Sequence, residues 1–265
     1  MKRFLLIIFL SGLFVDVVRA QEDSTQWQLP AERRQSRITL IRNKVLGTNY
    51  WEEAFRGNWA GIFVGLNGLA KTDYSGYPEN EQGFFDPDLA RSYVIDINLI
   101  QLSKGLQRSR NTIGLVTGVG LELQSWYLDN RITVTKGLFR LQPVTLNHDD
   151  PQKSKFISSY LSIPFLAEFQ IPMKHYGNRL YFSAGLIVHK RLTTHTKIKY
   201  THLDKGYKLK SPDDYYLRNF RTSATFRIGY RWINLFASCD LQQLFITNKG
   251  PETFPYSAGF ALVSF

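Results

Sequence analysis

Residues 221–232 read "RTSATFRIGYRW", and their alternation decides the fold class. Ala224, Phe226, Ile228, Tyr230 and Trp232 occupy one set of alternate positions, and Thr225, Arg227, Gly229 and Arg231 the other. Successive side chains of a strand point to opposite faces, so this pattern is a strand with one apolar and one polar side. Residues 160–171, "YLSIPFLAEFQI", repeat it: Leu161, Ile163, Phe165, Ala167, Phe169 and Ile171 stand against Ser162, Glu168 and Gln170. Between 112 and 124, Ile113, Leu115, Val119, Leu121 and Leu123 alternate with Gly114, Gly118, Gly120, Glu122 and Gln124. Ordinary strands run about five or six residues, whereas a strand tilted across a bilayer needs about nine to eleven. These three are of the second length.

The same period places strands near 57–70, 91–103, 111–126, 156–171, 179–197, 218–231, 233–246 and 254–265. Three connectors are short: "KGLQRSR", "PMKHYGN" and the "RWIN" corner. The alternate connectors, 71–90, 127–155 and 198–217, are longer and more polar, with 247–253 the exception. Short turns at one end and long loops at the other predict an all-β fold over residues 57–265, an eight-stranded antiparallel up-and-down transmembrane β-barrel. Within 127–155, "RITVTKGLFRLQPVTL" is read as extending the third hairpin beyond the bilayer.

Residues 1–20 open with Lys2 and Arg3, continue as "FLLIIFLSGLFV" and close on Val18-Arg19-Ala20. A basic start, an apolar middle and small residues before a cut predict a cleaved signal peptide. The alternative is an N-terminal membrane anchor, but the apolar run is shorter than the roughly 18 to 20 residues that span a bilayer. Residues 21–56 are expected to be an N-terminal periplasmic segment, or to hold an extra strand. Cys239 is the sole cysteine, so neither an internal disulfide nor a lipid-modified N-terminus is expected. The net charge of +11 becomes +9 without residues 1–20. These charges are spread along the chain, which argues against nucleic acid and for anionic membrane lipid or lipopolysaccharide as partners.

The polar faces of the strands carry Asp96, Glu122, Glu168, Arg227, Arg231 and Asp240. In a water-soluble barrel or sandwich such charges point out; in an outer-membrane barrel they point in. The strand length, the loop asymmetry and the leader favour the second arrangement, with Trp59, Trp126, Tyr160, Tyr230 and Trp232 as interfacial girdles. Eight strands enclose a space just wide enough for side chains to fill. The charges are therefore expected to form an ionic plug, the alternative being a polar channel. Lys190, Arg191, Lys197, Lys199, Arg218 and Arg221 are expected to form a basic rim facing lipopolysaccharide phosphates, against the plainer reading of a solvated hairpin. His148 beside Asp149 and Asp150 is a turn signal as much as a metal or acid–base site. His189 and His195 fall near the outer end of the fifth strand, where a barrel hydrolase would keep its base. No G-x-S-x-G, H-E-x-x-H or paired C-x-x-C occurs, so neither an enzyme nor a cofactor is expected.

"GNWAGIFVGLNGLA" at 57–70, "YLSIPFLAEFQ" at 160–170, "FRTSATFRIGYRWINLFASCDLQQLF" at 220–245 and "GPETFPYSAGFALVSF" at 250–265 resemble the small outer-membrane β-barrel proteins of Bacteroidota, often labelled porin-family. The resemblance implies the barrel and the outer membrane but no task; some relatives belong to the type IX secretion apparatus. It also implies that the terminal Phe265 is read by the barrel-assembly machinery. Counting back from Phe265 assigns Ser257, Gly259, Ala261 and Val263 to the lipid face.

Overall fold

The computed structural model describes residues 55–107, 111–128, 132–146, 153–173, 179–202 and 205–264. The leader, most of the 21–56 segment, the His148–Asp150 cluster, His175 and Phe265 lie outside the described residues. Eleven strands are present: β1 (Gly61–Asp73), β2 (Tyr93–Gly105), β3 (Ile113–Leu128), β4 (Ile132–Lys136), β5 (Leu141–Thr145), β6 (Lys153–Pro172), β7 (Arg179–His202), β8 (Lys205–Pro212), β9 (Phe220–Tyr230), β10 (Ile233–Asp240) and β11 (Glu252–Ser264). Every pairing between them is antiparallel. Eight close on themselves in the order β6-β3-β2-β1-β11-β10-β9-β7, because β7 also pairs with β6. The expected eight strands are therefore found as a ring, and the seam that closes the first on the last is β1–β11.

The remaining strands were not foreseen as separate elements. The stretch 132–145 folds back on itself as the β4–β5 hairpin. The connector expected over 198–217 is instead the upper part of β7 paired with β8. β7 uses its lower half, Leu180–Lys190, to pair with β9 and its upper half, His195–His202, to pair with β8.

Side chains divide as the alternation requires. On β6, Ser158, Ser162, Leu166, Glu168 and Gln170 are buried inside the ring, while Ile163, Phe165, Phe169 and Ile171 are exposed outside. β3 and β9 behave likewise, with Glu122 and Arg227 inside and Leu115, Leu121 and Phe226 outside. β11 is the exception, and it reverses the assignment made from Phe265 for Ser257, Gly259 and Ala261, though not for the exposed Val263. Ser257 is buried inside with Gly259 and Ala261 on its face, while Tyr256, Phe260 and Leu262 are exposed outside. The cause is a bulge. Ile62 pairs with Val263 and Phe63 with Ala261, so the register steps over Leu262 and the alternation changes phase there.

The seam owes its closeness to two glycines. Gly65 sits opposite Gly259; a Cβ on Gly259 would lie 2.0 Å from the Val64 carbonyl oxygen and 2.4 Å from the Gly65 Cα. We expect Gly259→Val to spread the seam, at a cost of about 1–3 kcal/mol as for other overpacked sites. Ala258→Val, facing outward one residue away, is expected to be close to neutral. Thermal unfolding followed by circular dichroism compares the two, and equal midpoints would refute the tight seam.

Candidate functional site: the charged interior

The strand registers converge charged groups on the ring axis. Glu122 on β3 faces Asp96 on β2. His189 on β7 pairs with Ser162 on β6 and with Arg221 on β9. Ser223, two residues along β9 from Arg221, faces Asp240 on β10. Arg221, 2% exposed, donates one guanidinium nitrogen to Glu122 Oε1 and the other to Asp240 Oδ2. Ser223 Oγ donates to the second Asp240 oxygen. The Arg221 guanidinium also lies 4.1 Å from the Tyr160 ring. His189 Nδ1 is 2.9 Å from Ser162 Oγ and 3.6 Å from Glu122 Oε2. A serine, a histidine and a glutamate thus meet, but Ser162 and Glu122 share one ring nitrogen instead of flanking the imidazole. A nucleophile–base–orienter relay needs both nitrogens, so this constellation lacks that geometry.

Arg227 is held differently. Its guanidinium lies 4.1 Å from the Trp59 ring, 4.4 Å from Phe63 and 6.0 Å from Phe236, distances at which ring faces attract a cation. Among the described residues no carboxylate is within ion-pairing distance of it.

Both ends of the interior are occupied. At the short-turn end the chain before β1 runs inside the ring. Asn58 donates from its backbone N–H to Glu168 Oε2 at 3.1 Å and from Nδ2 to Oε1 at 2.7 Å. Gln101 Oε1 accepts from the N–H groups of Trp59 and Ala60, and its Nε2 donates to the Gly57 carbonyl. Gln170 donates to the Arg56 carbonyl at 2.6 Å. Phe55 and Trp59 pack with Val116, Leu166 and Ile187. At the long-loop end an aromatic cap combines Phe85, Tyr215 and Phe245 from the connectors with Trp126 at the top of β3 and Phe156 at the top of β6. Phe85 lies 5.3 Å from Phe156 and 5.1 Å from Phe245, in edge-to-face contacts. The β4–β5 hairpin is bound to this cap: Tyr77 Oη donates to the Leu141 carbonyl and Tyr216 Oη to that of Gly137. Burial pushes the Tyr77 hydroxyl up to about 12, against the opposing pull of Arg140 over its ring. Lys136 reaches Asp214 at 2.7 Å. Burial raises the Asp214 carboxyl, but this hydrogen bond and one from the Tyr216 N–H hold it below its ordinary value.

Of the charges expected inside, Asp96, Glu122, Glu168, Arg227 and Asp240 are buried there. Arg231 is not. β9 ends at Tyr230, which pairs with Ile233, so Arg231 and Trp232 form the two-residue turn; Arg231 is exposed with φ 58°. Arg221 departs in the other direction, from the expected rim to the centre of the interior. Its parity with Arg227 was the available signal. Arg191 and Arg218 pin loops: Arg191 donates to the Asp214 carbonyl and Asn219, and Arg218 to the Phe245 carbonyl and Thr247. Lys190 and Lys199 are exposed and Lys197 is half-buried. Trp59, Trp126 and Tyr160, expected in the girdles, are buried inside instead; Tyr230 and Trp232 are exposed. Asn58 and Gln101 carried no sequence signal, because 57–60 reads as the start of a strand. Among the described residues no group of three His, Cys, Asp or Glu side chains is placed to hold a metal ion.

Comparison of the chain with protein-family models, with curated proteins and with solved structures finds no match.

Removing one partner from a buried ion pair leaves an uncompensated charge and costs about 3–5 kcal/mol. Arg221→Met is therefore expected to destabilise the ring on that scale by stranding Glu122 and Asp240. Arg231→Ala, at an exposed turn, is expected to change stability by less than about 0.5 kcal/mol. Denaturant unfolding of the two variants measures the difference, and a mild Arg221→Met would show that the network is not under tension.

Proposed function

We propose that the chain is an integral outer-membrane β-barrel with a filled interior, a non-enzymatic protein that presents its long loops at the cell surface. One observation carries the reading: the charged residues are inside and the apolar ones are exposed outside. Phe165 is 59% exposed, Phe220 60% and Leu102 64%, whereas Arg227 is 1% exposed and Glu168 2%. In water this distribution would be inverted; in lipid it is required. Along β6 the outward apolar run Leu161–Ile171 covers ten residue steps, about 33 Å of strand, or about 25 Å of height at a 40° tilt, the thickness of a barrel's apolar band. The leader and the resemblance to small barrels of Bacteroidota support the same reading.

The interior supports a plug over a passive channel. Segment 55–60 crosses one end and the aromatic cap closes the other. Outer-membrane lipid is the surrounding partner, and lipopolysaccharide the expected one at the loops.

Purified protein in liposomes is expected to pass neither ions nor small solutes, and a steady conductance would favour the channel. Unboiled protein should migrate differently from boiled protein in a detergent gel, as a closed barrel does. Phe226, 48% exposed near the middle of β9, separates lipid from water directly. Phe226→Lys should cost about 2–4 kcal/mol if that face meets hydrocarbon; measured unfolding with no penalty would mean that it meets water.

A further inference from the structure

The upper parts of β6, β7 and β8 carry an arrangement of charge that the strands would not adopt for their own stability. Lys155 pairs with Lys197, and Lys197 with Lys210. One step further up, Lys153 pairs with Lys199, and Lys199 with Lys208. Directly opposed residues share a face of the sheet, with Cβ atoms about 4.5–5.5 Å apart, and like charges so placed destabilise a sheet. Six lysines thus form two rows of three, all on the outward face. Among the described residues none of the six is within ion-pairing distance of a carboxylate. Lys155 lies over the rings of Tyr93 and Tyr127, at 5.3 and 5.5 Å. β8, "KGYKLKSP", brings no acid of its own, and the nearby Asp214 is taken by Lys136. The next position down is His195, facing Ile157 and Pro212. Burial, then Lys210 and Lys197, depress its basicity, so His195 supplies no negative charge and resists adding to the positive one.

Height selects the kind of anion. Lys155 lies six residues above Leu161 on β6, about 20 Å along the strand and about 15 Å in height at a 40° tilt. Phospholipid headgroups extend only about 5–8 Å beyond the hydrocarbon on each side. The rows therefore stand above phosphodiester headgroups, at the level of the sugars of a glycolipid.

We propose that this lysine face binds the phosphorylated saccharide of an outer-leaflet glycolipid, with phosphate groups seated between the rows. The proposal rests on the membrane reading and gives it a defined contact surface, one that omits Arg191, Arg218 and Arg221. Phosphate oxygens are strong acceptors for charge-assisted bonds from ammonium groups, and they remove the repulsion that the register otherwise stores.

The test uses the full-length protein in detergent, with lipopolysaccharide of phosphorylated core, the same material after dephosphorylation, and phosphatidylglycerol vesicles. Phosphorylated lipopolysaccharide is expected to bind and to raise the unfolding midpoint, while the other two act weakly. The triple variant Lys155→Gln, Lys197→Gln, Lys210→Gln is expected to lose affinity by about tenfold or more, as the loss of charge-assisted contacts implies. Lys197→Glu alone, with no lipid present, is expected to raise the midpoint, because it turns one repelling row into alternating charge. Equal binding by parent and triple variant, equal binding of phosphatidylglycerol, or a Lys197→Glu midpoint at or below the parent's would overturn the proposal. Heat-modifiable migration and liposome insertion score the membrane reading separately. A chain that inserts but ignores these lysines sinks only the binding surface, whereas one that fails to insert sinks the reading beneath it.

Discussion

Arg221 is the contact on which the interior depends. From β9 its fork reaches Glu122 on β3 and Asp240 on the adjoining β10, so it ties β9 and β10 to β3, a strand that pairs with neither of them. Such a group is costly to bury and is tolerated only when its donors are matched by acceptors. Around it the registers bring Ser223 to Asp240, His189 to Ser162 and Tyr160 beneath the guanidinium. Arg227 is held by other means, with the aromatic faces of Trp59 and Phe63 at close range. Two arginines on one strand thus define two layers of the interior.

The two closures follow from what those layers leave exposed. Glu168 and Gln170 would face an open end of the ring, and Asn58 with the Arg56 carbonyl meets them. The incoming chain fits because Gly57 and Gly114 have no side chains: a Cβ on Gly114 would meet the Phe55 ring at 2.4 Å. At the other end Phe85, Tyr215 and Phe245 from three connectors pack with Trp126 of β3 and Phe156 of β6 and close the gap with aromatic rings. The tip of the β4–β5 hairpin, Leu138 and Phe139, stands fully out from that cap.

Much of this was legible because a period of two is hard to counterfeit over ten residues. On β3, β6 and β9 the residues read as polar-faced are those inside, and the ring order follows from short connectors. The misreadings share one physical origin: alternation holds only while the ladder is regular. The bulge at Leu262 reverses the faces of β11 upstream of it, and the turn at Arg231 ends the phase one residue before it was counted. Arg221 was misplaced for another reason, since it was grouped by its neighbours in sequence and not by its parity with Arg227. The segment 55–60 was illegible altogether. Its role depends on hydrogen bonds to Gln101, Glu168 and Gln170, and no local pattern encodes contacts so distant in sequence.

The inner and outer charges of the molecule obey opposite rules. Inside, Arg221 is matched by Glu122 and Asp240, and Arg227 lies against aromatic rings, all supplied by the fold itself. Outside, on the extended top of β6, β7 and β8, lysine is set against lysine in two successive rows, and among the described residues no carboxylate is within ion-pairing distance of them. A single pair of this kind could be an accident of a surface that tolerates it. Two rows in register across three strands are different, since each strand repeats lysine at the same two alternate positions and a one-residue slip would scatter them over both faces. Lys197 and Lys199 each stand between two lysines of the neighbouring strands, so this face gains from an anion that these strand segments do not themselves supply.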